Sequence, residues 1–148
     1  MLQSLSSIKK AYIAGFLDAD GSIYVQAKPN HSYRYGFQIA PYIVFFQSQK
    51  DEEAFKEVCD LIGYGHLRRR KDGILEYIVS KIDDIKDFLK IISPFLIMKK
   101  NQAELMVQIL DLKGKVEKES DFEALLKLIE LYRELNYSKK RKKRTLTP

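Results

Sequence analysis

The chain has no tryptophan, one cysteine, two histidines and four prolines in 148 residues. Cys59 stands alone, so no intrachain disulfide can form, which suits an intracellular setting. Its neighbours at helical spacing, Phe55, Val58 and Ile62, make it a buried small apolar residue rather than a reactive thiol. His31 and His66 have no cysteine or histidine companions at metal-ligand spacing, which argues against zinc. No apolar run approaches the roughly 18 residues that a membrane span requires. The opening Met1–Ser7 has neither the basic start nor the apolar stretch of a signal peptide. There is no phosphate-binding GxxxxGK[ST] loop and no nucleophile elbow. What remains is an ordinary globular composition, 45% hydrophobic and 31% charged, and long enough for one domain with its own core.

The net charge of +6 comes entirely from one run, Lys139-Lys140-Arg141-Lys142-Lys143-Arg144, because the other 20 basic residues match the 20 acidic ones. Residues 1–50 hold five basic and two acidic side chains, whereas 101–138 hold five and eight. The amino-terminal third and the tail are therefore cationic, and the helical region between them is acidic. Such asymmetry favours a polyanion on one side of the molecule. A single domain over 1–138 with a basic tail over 139–148 is expected, and Lys139, Lys140 and Lys142 are expected to touch phosphates.

Residues 11–21, AYIAGFLDADG, read as an apolar helix ending in two carboxylates. That end of a helix carries partial negative charge, so Asp18 and Asp20 should cost roughly 0.3–1 kcal/mol each unless something positive answers them. A divalent cation fits, since hard cations take carboxylate and carbonyl oxygens. Gly21 is expected to close the helix in a left-handed conformation. At about 100° per residue, Ala11, Ala14, Gly15 and Asp18 share one face and Tyr12, Ile13, Phe16 and Leu17 the other. The large face is expected to fill the subunit's core. The small face would admit a second backbone, and with no second copy of the segment in the chain, that backbone must belong to another molecule. A two-fold dimer would set two Asp20 residues side by side.

Beyond this helix, residues 22–28 alternate strictly, with Ser22, Tyr24, Gln26 and Lys28 on one side. A turn at 29–32 leads to a second strand over roughly 34–46, in which Gln38, Ala40, Tyr42 and Val44 oppose Phe37, Ile39, Ile43 and Phe45. Pro41 is awkward there, because it cannot donate a ladder hydrogen bond. A helix over about 51–61 ends at Gly63. A second hairpin follows, with His66, Arg68 and Arg70 alternating before the Lys71-Asp72-Gly73 turn. Helices over about 82–92, 101–113 and 121–135 complete the chain, the last with Ser120 and Glu123 at capping-box spacing. The fold class is α+β, in the order αββαββα with extra C-terminal helices. The two hairpins leave one sheet face rich in Arg and Gln, the groups that pair with guanine and adenine edges, and a two-stranded ribbon fits the major groove.

Residues 12–21, with Gln47, the stretch Gly63–Arg68 and the stretch Pro94–Ala103, resemble the LAGLIDADG homing endonucleases, and most closely the single-motif homodimeric branch encoded in introns. The resemblance implies a curved antiparallel β-saddle on double-stranded DNA. It implies that Asp20 and the Ala19 carbonyl hold Mg²⁺, with Mn²⁺ or Ca²⁺ able to take the same place. Gln47 would orient the attacking water and Lys99 would stabilise charge on the phosphate. Tyr24, Gln26, Lys28, Asn30, Ser32, Tyr33, Gln38, Ala40, Tyr42, Val44, His66, Arg68, Arg70, Glu76 and Ile78 match the family's DNA-reading positions. A basic residue expected soon after Gln47 is absent at Asp51, although Lys50 adjoins it.

The implied function is a homodimeric endonuclease that cuts a long, nearly palindromic DNA site with staggered ends. It would work in a DNA-containing compartment, an organelle or a prokaryotic cytoplasm, with no membrane partner. Two alternatives stay open on the same scaffold: an intron maturase acting on RNA, and a DNA-binding regulator without catalysis. The retained Asp20 argues against both, because a pure binder has no use for a costly carboxylate.

Overall fold

The computed structural model describes residues 2–135. Ser6 caps the first long helix, α1 (Ser7–Asp20), by accepting a hydrogen bond from the Lys9 N–H at 3.2 Å. The chain then passes directly into β1 (Gly21–Pro29) and β2 (Phe37–Ser48). A 3-10 turn over Gln49–Asp51 leads to α2 (Glu52–Ile62), β3 (His66–Arg69), β4 (Ile74–Val79), α3 (Ile82–Ile92), α4 (Lys100–Lys113) and α5 (Glu119–Leu135). The αββαββα order with two added helices is therefore what forms. Gly63 ends α2 at φ 77°, the left-handed conformation that glycine adopts without a Cβ clash. Gly21 does not do the same for α1. It is extended, at φ −106° and ψ 176°, and a Cβ there would lie 2.5 Å from the Leu17 side chain. The sharp exit from α1 needs space, not a left-handed residue.

The four strands form one antiparallel sheet in the order β1-β2-β4-β3. Its register places Ile23 beside Ile43 and Val79, and Phe45 beside Tyr77 and Leu67. Because side chains alternate along a strand, these residues share one face, and apart from the half-buried Leu67 all of them are buried. The helices cover that face. Phe45 meets the rings of Phe16 at 5.7 Å and Phe88 at 6.0 Å, in edge-to-face contacts. The Tyr132 hydroxyl donates to the Ile23 carbonyl and ties α5 to β1.

Pro41 is explained by where the sheet ends. β2 pairs with β1 along most of its length, but with β4 only from Ile43 onward, so Pro41 lies beyond the end of β4. On that open side a missing N–H costs no ladder bond. Two further expectations are corrected. Ser120 lies inside α5, not at its cap, and the N–H groups of Glu117 and Lys118 donate to Asp121 instead. Arg70 lies just past β3. No helix among the described residues is long and apolar enough to cross a membrane.

Candidate active site and nucleic-acid interface

Asp18 and Asp20 part company at the end of α1. Asp18 is buried, and its carboxylate accepts from the N–H groups of Ile97 at 2.8 Å, Met98 at 3.2 Å and Lys99 at 2.9 Å. Burial opposes its ionisation, but these hydrogen bonds and the Lys99 charge outweigh it and hold the carboxyl below the usual range. The Lys99 ammonium donates to the Asp18 carbonyl at 2.7 Å. That cation answers the negative end of the helix. Asp20, by contrast, is exposed and has no ion-pair or hydrogen-bond partner among the described residues. Gly21 N–H takes the Leu17 carbonyl and Lys99 takes that of Asp18, which leaves the Ala19 carbonyl next in line beside the free carboxylate. A carboxylate and a carbonyl are the oxygen donors a hard cation prefers. No group of three His, Cys, Asp or Glu gathers among the described residues.

The faces of α1 differ from what its sequence leads one to expect. Ala14 is fully buried and Asp18 is turned inward, so neither belongs to an open face. Tyr12, expected inside, is 59% exposed. The open stripe consists of Ile8, Ala11, Tyr12, Gly15 and Ala19. Beside the helix end, Ile97 and Met98 expose 86% and 76% of their surface. Neither carries a motif that assigns it a role; two large apolar residues in a short connection after Pro94 are the only signal the sequence offers. With Ile8 and Tyr12 they make up half of the large hydrophobics exposed among the described residues.

Gln47 lies on the same face of β2 as the buried Phe45, just past the last pairing with β1 at Gly21. That is the end of the sheet where β1 follows directly on α1, so Gln47 lies at the α1 end of β2. Its Oε1 accepts from the Ser48 N–H at 2.8 Å. Lys50 is exposed on the following 3-10 turn.

The outer sheet face begins at the same end. Ser22, Val44, Ile78 and His66 form one row across all four strands. Tyr24 pairs with Tyr42, Gln26 with Ala40 and Lys28 with Gln38, while Glu76 pairs with Arg68. The Tyr24 and Tyr42 rings lie 5.1 Å apart, and the Lys28 ammonium donates to the Tyr42 hydroxyl at 3.1 Å. Arg68 reaches Glu76 at 3.1 Å; Arg70 reaches Asp72 at 2.6 Å and lies 4.0 Å from Glu76. One carboxylate thus sits between two arginines. Ala40 and Val44 share this face but are 6% and 4% exposed, so they back the surface and offer it little contact area. At the far end, Asn30 Oδ1 accepts from the Ser32 N–H and hydroxyl, which shapes the hairpin turn, and Tyr33 is exposed beside them. Lys139, Lys140 and Lys142 lie outside the described residues.

A family model described as LAGLIDADG endonuclease matches residues 13–109. The chain is similar to the DNA endonuclease I-CreI of Chlamydomonas reinhardtii, 36% identical over 134 residues, covering 88% of this chain and 80% of that protein. It is also similar to the DNA endonuclease I-CvuI of Chlorella vulgaris, 32% identical over 103 residues, covering 70% and 64%. A crystal structure of the homing endonuclease I-CvuI in complex with its target in the presence of Ca superposes with a TM-score of 0.83, at 29% identity, covering 94% of this chain and 87% of that one. Motif, fold and relatives agree, and the chain belongs to the LAGLIDADG endonuclease family.

Proposed function

We propose that the chain is a homodimeric, site-specific endonuclease that hydrolyses both strands of a long, nearly palindromic DNA target and leaves staggered ends. The observation that carries this reading is the unanswered Asp20 carboxylate, placed where the open stripe of α1 meets the polar sheet face. Two copies joined along that stripe bring two Asp20 carboxylates and two Ala19 carbonyls together. Each chain's incomplete oxygen set is then completed by its partner and by DNA phosphates. Mg²⁺ fits these donors best, and Mn²⁺ or Ca²⁺ could occupy the same place.

A bound divalent cation supplies positive charge that favours water ionisation at neutral pH and steadies the departing 3′ oxygen. The chain supplies the rest. Ser48 pins the Gln47 Oε1, which leaves the amide N–H groups to orient the attacking water. Lys99, held at the Asp18 carbonyl, places a cation where charge grows on the phosphate. The nine residues of β1 run for roughly 27 Å. DNA rises about 3.4 Å per base pair, so each copy could follow roughly eight base pairs of major groove. Tyr24, Gln26, Lys28, Gln38, Tyr42, Arg68 and Arg70 carry the polar groups for that reading. Such an enzyme works in a compartment that holds its DNA target, an organelle or a prokaryotic cytoplasm.

A plasmid library of randomised sites, incubated with and without Mg²⁺, tests the proposal and yields the target. Double-strand cuts that require the metal, and that vanish in Asp20→Asn while target binding persists, are expected. Target binding without cleavage would instead identify a non-catalytic regulator, and RNA binding alone a maturase. Cleavage by Asp20→Asn at the wild-type rate would overturn the metal assignment.

A further inference from the structure

Asp18 grips Lys99 at both ends. Its carboxylate takes the Lys99 backbone N–H at 2.9 Å, and its own carbonyl takes the Lys99 ammonium at 2.7 Å. The same carboxylate takes the N–H groups of Ile97 and Met98, so three consecutive amides of the α3–α4 connection are fixed to the last turn of α1. The segment is anchored on either side by the buried Leu96 and Ala103. Lysine is a flexible four-carbon chain that gives up rotamer freedom when it is held. Holding both its ends removes most of that freedom before a phosphate arrives. With its backbone drawn inward, the segment turns the Ile97 and Met98 side chains outward.

We propose that Asp18 is a positioning residue for strand cleavage: through the Ile97–Lys99 segment it sets the Lys99 ammonium beside the Asp20 end of α1. The inference rests on the role given to Lys99 above. It separates the two carboxylates of the motif by task, with Asp20 left free for the cation and Asp18 committed to the lysine. Asn at position 18 cannot substitute. An amide keeps one acceptor oxygen and presents an NH₂ group to an N–H donor, so part of the grip on the Ile97–Lys99 backbone is lost and the base of the Lys99 side chain shifts, although the main-chain carbonyl of residue 18 can still take the ammonium. A displacement of about 1 Å can cost on the order of 100-fold in rate.

The test is a cycle of four homodimers: wild type, Asp18→Asn, Lys99→Met and the double variant. Target affinity is measured in Ca²⁺, and single-turnover cleavage in Mg²⁺ at saturating protein. Asp18→Asn is expected to bind within about threefold of wild type and to cleave about 10- to 100-fold more slowly. The double variant should then be no slower than Lys99→Met, because a positioning residue has nothing left to position. Hydrogen exchange should show the Ile97, Met98 and Lys99 amides opening at least about tenfold faster in Asp18→Asn, with Ile23 and Ile43 unchanged. Multiplicative rate losses in the double variant, or unchanged amide protection, would overturn the positioning role while leaving Lys99 in place. A Lys99→Met enzyme that cleaves normally would overturn the role of Lys99 itself, and the proposal with it. If Asp18→Asn fails to bind target, Asp18→Glu takes its place in the cycle, with the charge kept and displaced by one methylene.

Discussion

Gly15 offers the sharpest test of which surface joins the two copies. It lies on the open stripe of α1, and a Cβ there would meet nothing within 4 Å in its own chain. In an isolated subunit Gly15→Ala therefore only replaces a helix-interior glycine, and should add about 0.5–1 kcal/mol of stability. In the dimer the outcome reverses. Two-fold symmetry brings each change into the interface twice. Overpacking costs typically about 1–3 kcal/mol, so a pair of added groups costs about 2–6 kcal/mol. At about 1.4 kcal/mol per tenfold, the dimer Kd should rise by about 30-fold or more. Gly15→Leu should lie at or beyond the upper end. Sedimentation equilibrium over a dilution series reads the dimer constant, and urea unfolding below that constant reads the monomer. A Gly15→Ala protein that is stabilised at every concentration, with its dimer constant unchanged, would refute the interface.

Other expectations follow from the sheet and the tail. Arg68→Ala should relax discrimination at one base pair by about 1–3 kcal/mol if Arg68 exchanges Glu76 for a guanine edge on binding; equal weakening on all sequences would make it a phosphate ligand. Deleting residues 139–148 should weaken binding to target and scrambled duplexes alike and lower the slope of log affinity against log salt by about 0.9 for each phosphate the tail neutralises; equal slopes would leave the tail without a role in binding. The Arg69 guanidinium and then the Lys56 ammonium hold the half-buried Glu52 at about 2, below its ordinary 4.5. A depressed carboxyl stabilises the fold above the unfolded value and loses that contribution as pH falls through the folded one. The difference in Tm between wild type and Glu52→Gln should therefore be largest above pH 4.5 and close toward pH 2, a small effect because both cations are exposed to solvent. A difference that stayed constant across that range would show that the pair does not matter.

Local period and punctuation carried the element order. Strict alternation over 22–28 settled which side chains of β1 face outward, because a strand has only two faces, and the register agrees pair by pair through Tyr24–Tyr42 and Lys28–Gln38. Gly63 and Pro94 marked helix ends for reasons that act within a few residues. The Asp20 motif was legible too, since an unanswered carboxylate at a helix C-terminus is costly wherever the helix lies. Only tertiary structure decided the rest. α1 is apolar on every side, so its periodicity holds no record of which stripe turns inward, and Ala14 and Tyr12 exchanged places. Asp18 found its partners some 80 residues away in the Ile97–Lys99 segment, a distance over which no local pattern reports. Pro41 became intelligible only once β4 was seen to stop short of it. The carboxylate between Arg68 and Arg70 exists because β3 and β4 align Glu76 with Arg68 and Arg70 follows just beyond, and register is a property of the assembled sheet.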